Sequence, residues 1–296
     1  MNDLRVAREA LDRACAQAGV ASAGAVALRV SENTIFRLHA HLVARVSRPG
    51  HVKSARHEVA AARWMHKTGI SAVRLAGPAE QPFVVDDRAV TFWHELPSHR
   101  HGTPAEMAEA LSRLHRAPPP CGGALGHIEP FVRVRSRIDR GLTLTASDRA
   151  WLHSHLAELN QQWSDRPSGA QECVVHGDAW SGNIVVTATG QVVFLDLERT
   201  AIGPPEWDLV HTAIKHHSFG LVSRPDYTAF CNAYGADVTD WVGYPLFRDI
   251  RELRMTTMAA QLAAEDPRLA HQAAHRIECL RGLHGPRPWP GWSALP

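Results

Sequence analysis

The chain lacks a hydrophobic run long enough to cross a membrane. The charge-free stretch from Ala14 to Leu28 is interrupted by Gln17 and Ser22 and falls short of the roughly 20 apolar residues a spanning helix needs. The opening MNDLRVAREALDR has the charge spacing of an amphipathic helix rather than of a signal-peptide leader, so the protein is expected in the cytoplasm. An excess of one charge is lacking too. Lys+Arg of 32 against Asp+Glu of 30 leaves +2, and without a basic run there is no electrostatic ground for a nucleic-acid or membrane partner. The five cysteines, at 15, 121, 173, 231 and 279, never form a CxxC pair; this argues against a disulfide framework and a zinc site and leaves buried thiols. No HExxH occurs, and the close sets His99/His101, His153/His155 and His216/His217 have no acidic partner at ligand spacing. Internal repeats and low-complexity tracts are missing as well. What is there is a 296-residue chain of 45% hydrophobic content, enough for two domains or a single large bilobal domain with a substantial core.

Up to about residue 97 the sequence reads as short strands with one inserted helix. Apolar, β-branched runs at 25–30, 34–39, 42–46, 83–87 and 89–93 predict a small antiparallel sheet. Between them, Ser54 is a candidate N-cap, Ala55, Val59 and Ala62 share a stripe, and Gly69 is a stop signal. Beyond Pro97 helices dominate. Thr103-Pro104-Ala105-Glu106 is a capping box with proline at the first helical position, and the helix it opens ends before Pro118, Pro119 and Pro120. Further helices are marked by Leu152, Leu156 and Leu159, by Leu246, Ile250 and Leu253, and by Leu269, Ala273, Ile277 and Leu280. The expected division is therefore 1–97 and 98–296, with the closing PRPWPGW as an irregular tail packed on the body.

One segment breaks the helical run. Cys173 to Val175 reads as a strand, His176 to Gly182 as a loop, Ile184 to Val186 as a second strand and Gln191 to Leu197 as a third. Asp178, Asn183 and Asp196 stand at or just outside the ends of these strands. That layout suits phosphoryl transfer, which needs a carboxylate to accept the proton of an attacking hydroxyl and hard oxygen ligands for Mg²⁺. Asp178 suits the first role, and Asn183 and Asp196 the second. Taken singly, each is also an ordinary loop residue; the three together at this spacing favour chemistry.

VVHGDAWSGNIVV followed by FLDLERTAIGPPEWDL resembles the paired signature of the aminoglycoside phosphotransferase and choline kinase-like family, relatives of protein kinases. The likeness extends to SENTIFRL, ARVSRPG, Glu58, VTFWHELP and LSRLH and fades after about Phe219. It implies an α+β, bilobal, protein-kinase-like fold: a small antiparallel-sheet lobe with one helix, a mainly helical lobe, and ATP (or GTP) with Mg²⁺ between them. It further implies Asp178 as catalytic base, Asn183 and Asp196 as metal ligands, Arg45 and Glu58 as a phosphate-anchoring ion pair, and backbone groups of His94 and Leu96 for the base. By the same likeness Asp208 braces the catalytic loop through backbone amides, and His176 supports it. Trp93, at the strand end, is expected in the pocket wall. Two departures stand out. Arg45 replaces the family's usual lysine, a planar fork for a point charge. Ser31-Glu32-Asn33 contains no GxGxxG, which leaves phosphate contacts to fewer amides or to the Ser31 and Asn33 side chains.

The implied activity is ATP-dependent phosphorylation of a small-molecule hydroxyl. Glu198 and Trp207 are too close for the long segment on which kinases dock peptides. An aminoglycoside or related antibiotic leads as acceptor, which would make the protein an antibiotic-resistance enzyme. A metabolic kinase for an amino alcohol, amino acid or sugar is the alternative, and a catalytically weak nucleotide-binding regulator a third reading. From Thr200 onward ten Asp+Glu meet nine Lys+Arg, and Glu198, Asp226, Asp249 and Glu252 are the carboxylates available to a cationic acceptor. The oligomeric state is left open.

Overall fold

The computed structural model describes residues 2–30, 33–39, 41–78 and 80–293; Ser31 and Glu32 of the expected nucleotide loop lie outside the described residues. In chain order the elements are α1 (Asn2–Ala18), β1 (Val26–Val30), β2 (Asn33–Arg37), β3 (Leu42–Ser47), α2 (Val52–Thr68), β4 (Phe83–Val85), β5 (Arg88–His94) and β6 (His99–His101). There follow α3 (Pro104–His115), α4 (Val134–Arg140), α5 (Ala146–Ser164), β7 (Cys173–Val175), β8 (Ile184–Thr187), β9 (Val192–Phe194) and β10 (Ala201–Gly203). The chain closes with α6 (Glu206–His217), α7 (Arg224–Tyr234), α8 (Tyr244–Glu265) and α9 (Ala270–Leu280). Two units form: residues 1–102 with 113–126 and 181–202, and residues 103–112 with 127–180 and 203–296.

In the first unit the order β1-β2-β3-β5-β4 makes an antiparallel sheet. Strand alternation sorts its side chains onto two faces. Phe36, Ala44, Val46, Val90 and Phe92 pack on Ala7, Ala10, Leu11 and Ala14 of α1, whose spacing is that of one helical stripe. The opening helix thus also belongs to this sheet. The opposite face carries Asn33 and Ile35, Val43 and Arg45, and Thr91 and Trp93, with Arg45 paired to Ile35 on one side and Thr91 on the other. The helix α2 begins two residues before the expected cap: His51 precedes it without a side-chain cap, and the Ser54 hydroxyl instead donates to Glu198 Oε2 at 3.3 Å. Gly69 ends it at φ 76°, a left-handed turn that glycine adopts without strain. A second sheet, β6-β8-β9, is tied to the segment after α2 by Phe194 N–H to Ser71 O (3.0 Å) and Val73 N–H to Phe194 O (2.9 Å).

In the second unit the capping box forms as expected, with Glu106 N–H to Thr103 Oγ1 at 3.3 Å and Thr103 N–H to Glu106 Oε2 at 2.8 Å. Its core centres on Trp207, fully buried on α6, which meets Phe247 of α8 and Trp163 of α5 edge-on at 5.7 and 5.8 Å. The PRPWPGW tail is pinned by Trp289 N–H to Ser218 O (2.7 Å) and by Trp292 stacked on Phe219 (4.1 Å). There His275, Cys279 and His284 bring ligand-type atoms within 4.8 Å, but His275 Nε2 meets the Pro290 carbonyl and His284 Nε2 meets Glu278, so the rings serve to close the tail on α9. Among the described residues no helix is long and apolar enough to cross a membrane.

Candidate active site

Within the first unit, Arg45 projects from the centre of the sheet face opposite α1 and meets α2. Its Nη1 donates to Glu58 Oε1 at 2.5 Å, and its Nη2 lies 3.6 Å from Glu198 Oε2. With the Asn33 amide turned so that its oxygen faces the guanidinium, that oxygen accepts from Nη2 at 2.7 Å and Nε at 3.1 Å. The Arg45–Glu58 pair that the likeness implied is present, and the fork is also shared with Asn33 and Glu198, because β2, α2 and the segment after β9 converge on it. Burial works against the Arg45 charge, yet Glu58, Asp196 and Glu198 together hold its pKa above the ordinary value. Glu58 is pushed up to about 7 by burial, against the pull of Arg45 and with Asp196 and Glu198 adding to the rise. Arg45 thus lies among three carboxylates, of which Glu198 also meets Arg199 Nε at 3.4 Å.

Asn183 and Asp196 stand at the same open end of the β8–β9 hairpin. The last register pair is Ile184 with Phe194, and beyond it Leu195 N–H donates to the Asn183 carbonyl at 2.8 Å. Asp196 follows at φ 51°, ψ 70°, a left-handed conformation that aspartate and asparagine tolerate better than most residues. It turns the chain out of the strand and leaves the carboxylate exposed. Trp93 is buried, its Nε1–H bonded to Thr91 Oγ1 at 2.8 Å on the Arg45 face. His94 N–H is taken by the Arg74 carbonyl (2.9 Å) and Glu95 N–H by that of His41 (2.7 Å). His94 and Leu96 line a cavity of about 360 Å³ together with Ala62, Ile70, Val73 and Val193.

Within the second unit, the loop that presents Asp178 is clamped through its backbone. The fully buried Asp208 carboxylate accepts from His176 N–H at 2.7 Å and Gly177 N–H at 2.9 Å, the brace that the likeness implied. The Gly177 carbonyl accepts from Trp207 Nε1 and from Arg251 Nη2, both at 3.1 Å, and its φ of 83° needs glycine. Asp178 N–H donates to His176 Nδ1 at 3.3 Å, which makes that nitrogen the unprotonated one. Arg251, 2% exposed, lies over the Trp207 ring at 4.3 Å and places Nη1 3.8 Å from Asp178 Oδ1. Lys215 of α6 sits over the Trp180 ring at 5.4 Å, where burial lowers its pKa and Asp178 opposes the fall. Neither Arg251 nor Lys215 was singled out from the sequence. No stripe marked either: the neighbours three and four residues away are Phe247, Arg248, Arg254 and Met255 for Arg251, and His211, Thr212, Ser218 and Phe219 for Lys215.

The four carboxylates named for the acceptor are placed otherwise. Glu198 belongs to the Arg45 cluster and also meets Arg199 Nε at 3.4 Å. Asp226 is in the cap of α7, bonded to the Ser223 hydroxyl at 2.6 Å. Glu252 is fully buried and receives Arg287 Nε and Nη2 at 2.9 and 2.6 Å, and Asp249 meets Arg287 at 3.1 Å and Arg248 at 2.8 Å. This network ties α8 to the tail.

The chain belongs to the phosphotransferase enzyme family, whose model matches residues 26–250. It is a small-molecule phosphotransferase of α+β, protein-kinase-like fold. Solved structures share that fold. A choline/ethanolamine kinase family protein from Mesorhizobium loti is 18% identical, with a TM-score of 0.62 over 93% of this chain and 95% of that one. The aminoglycoside phosphotransferase APH(3'')-Id from Streptomyces rimosus is 21% identical, with a TM-score of 0.62 over 84% and 98%. Amicoumacin kinase hAmiN, solved in complex with AMP-PNP, Ca²⁺ and Ami, is 12% identical, with a TM-score of 0.71 over 99% of both chains. Curated protein sequences give no match.

Proposed function

We propose that this chain transfers the γ-phosphoryl group of ATP to the hydroxyl of a small molecule, with Mg²⁺ as cofactor. The observation that carries the reading is the pair of oxygen donors, Asn183 and Asp196, held at one end of a rigid hairpin in a unit whose sheet face carries the Arg45–Glu58 pair. An amide oxygen and a carboxylate are hard ligands, as Mg²⁺ requires. When bound, the metal would neutralise charge on the phosphate oxygens. Arg45 is proposed to point its guanidinium at the phosphates, and Trp93, His94 and Leu96 to receive the base. Asp178 is proposed to take the acceptor hydroxyl's proton as the acceptor oxygen bonds to the γ-phosphorus and ADP leaves. Solved relatives in fold carry ADP with streptomycin, or GDP with kanamycin, which supports a nucleotide site here without choosing the base. Incubation with Mg²⁺ and either ATP or GTP, read by nucleotide consumption and by the rise in Tm, tests the proposal. A chain that binds no nucleotide rules it out, and one that binds a nucleotide but consumes none with any acceptor favours the regulator reading.

The shared fork makes a sharper expectation. Arg45→Lys keeps the charge but reaches fewer of Asn33, Glu58 and Glu198, so KM for the nucleotide should rise about tenfold, the equivalent of ~1.4 kcal/mol or one charged hydrogen bond. Arg45→Met should raise it further, and Glu58→Gln should fall between them. Steady-state kinetics beside the parent measure all three, and indifference to every substitution removes this pair from the nucleotide site.

A further inference from the structure

The loop that presents Asp178 is surrounded by cations. Arg251 stands 3.8 Å from the carboxylate, and Lys215 lies against Trp180, only two residues further along the loop. His211, buried on α6, shows how the charges converge: after burial itself, Arg251, Lys215, Arg254 and His176 are the groups that press its pKa well below the ordinary histidine value. Among the described residues, the carboxylates other than Asp178 placed near this loop already have hydrogen-bond or ion-pair partners. Asp208 is occupied by two backbone amides, Glu206 is buried and accepts from Ala170 N–H at 2.7 Å, and Asp249 and Glu252 are held by Arg287. Arg251 is itself committed to the Gly177 and Trp207 carbonyls. Lys215 is the cation with a mobile stem, half-buried and facing the loop through an aromatic ring.

We infer that the phosphoryl acceptor carries an anionic group beside its hydroxyl, a carboxylate or a phosphate, and that Lys215 with the Trp180 ring forms the subsite that receives it. This rests on the proposed function and names its substrate class. A polycationic acceptor would meet Lys215 beside Asp178 while Asp249 and Glu252 are held by Arg287, whereas an anion gains from the Lys215 charge. Trp180, exposed and flat, covers the apolar portion of such a ligand, and the lowered pKa of Lys215 reflects a charge that has lost water without gaining a full partner.

The test uses two matched acceptor sets with Mg·ATP. One is glycerol, glycerate, glycerol 3-phosphate and 3-amino-1,2-propanediol; the other is glucose, glucuronate, glucose 6-phosphate and glucosamine. Streptomycin is added as polycation. Anionic members should exceed neutral and ammonium members in kcat/KM by about tenfold or more, with the carboxylate and phosphate arms telling the two sources apart. Lys215→Met should raise KM for the anionic acceptors about tenfold at unchanged KM for ATP, and Lys215→Arg should restore the preference. Three results overturn the inference: ammonium acceptors preferred, Lys215→Met without effect on selectivity, or an equal fall in kcat for every acceptor, which would place Lys215 on the transferred phosphate. Failure of every anionic probe at millimolar concentration to turn over or to raise the Tm of the nucleotide-bound enzyme also overturns it. In each of these cases the kinase reading stands as long as Mg·ATP binds; loss of nucleotide binding by the parent chain is the separate result that removes the reading beneath.

Discussion

Asp178→Asn should lower kcat by about 10²-fold or more while leaving Mg·ATP affinity and the fold near those of the parent, the usual scale for removing a positioned proton acceptor. The fold survives because the loop is held through its backbone. Asp208 takes the amides of residues 176 and 177, and Trp207 and Arg251 take the Gly177 carbonyl. None of these bonds uses the Asp178 side chain. Asparagine keeps its shape beside Arg251 but offers no basic oxygen. The measurement is kcat and nucleotide affinity of the variant together with its Tm; near-normal kcat would remove Asp178 from the role of base, and a collapsed Tm would show that the carboxylate is structural.

The second large effect is expected at Asp196. Removing this carboxylate should lower kcat/KM on the order of 10³-fold, because a metal-centred charge term is worth several kcal/mol, and should make nucleotide affinity insensitive to Mg²⁺. Two substitutions separate chemistry from backbone. At φ 51°, Asp196→Ala adds a left-handed penalty of roughly 1–2 kcal/mol, whereas asparagine accepts that conformation. Asp196→Asn should therefore match Asp196→Ala in activity but not in stability. Titration of nucleotide binding against Mg²⁺ decides the matter: a variant whose affinity still rises with Mg²⁺ and which still turns over places the metal elsewhere.

The positions of Asp178, Asn183 and Asp196 at loop and strand ends could be read directly because their spacing belongs to one loop and one hairpin, where local rules set geometry. The same holds for the Thr103 capping box and the Gly69 stop, both set by residues within one helical turn. Arg45 and Glu58 could be paired because a strand and the helix that follows it pack together. Their shared arrangement was not legible. Asn33 reaches Arg45 through strand register, and Glu198 arrives from 144 residues beyond Ser54.

Residue type and short-range spacing were therefore enough to read the class of chemistry. Which charges surround those groups was settled by the packing of the folded chain. Packing moved Glu252, Asp249 and Asp226 into ion pairs and a cap, and brought Arg251, 74 residues from Gly177, onto the loop that carries Asp178 together with Lys215. The physical reason is that a charged side chain on a helix carries no local mark of its partner. Its neighbours are chosen by how helices stack around Trp207, and the burial that follows fixes which charges must be paired there and which are left to meet a ligand.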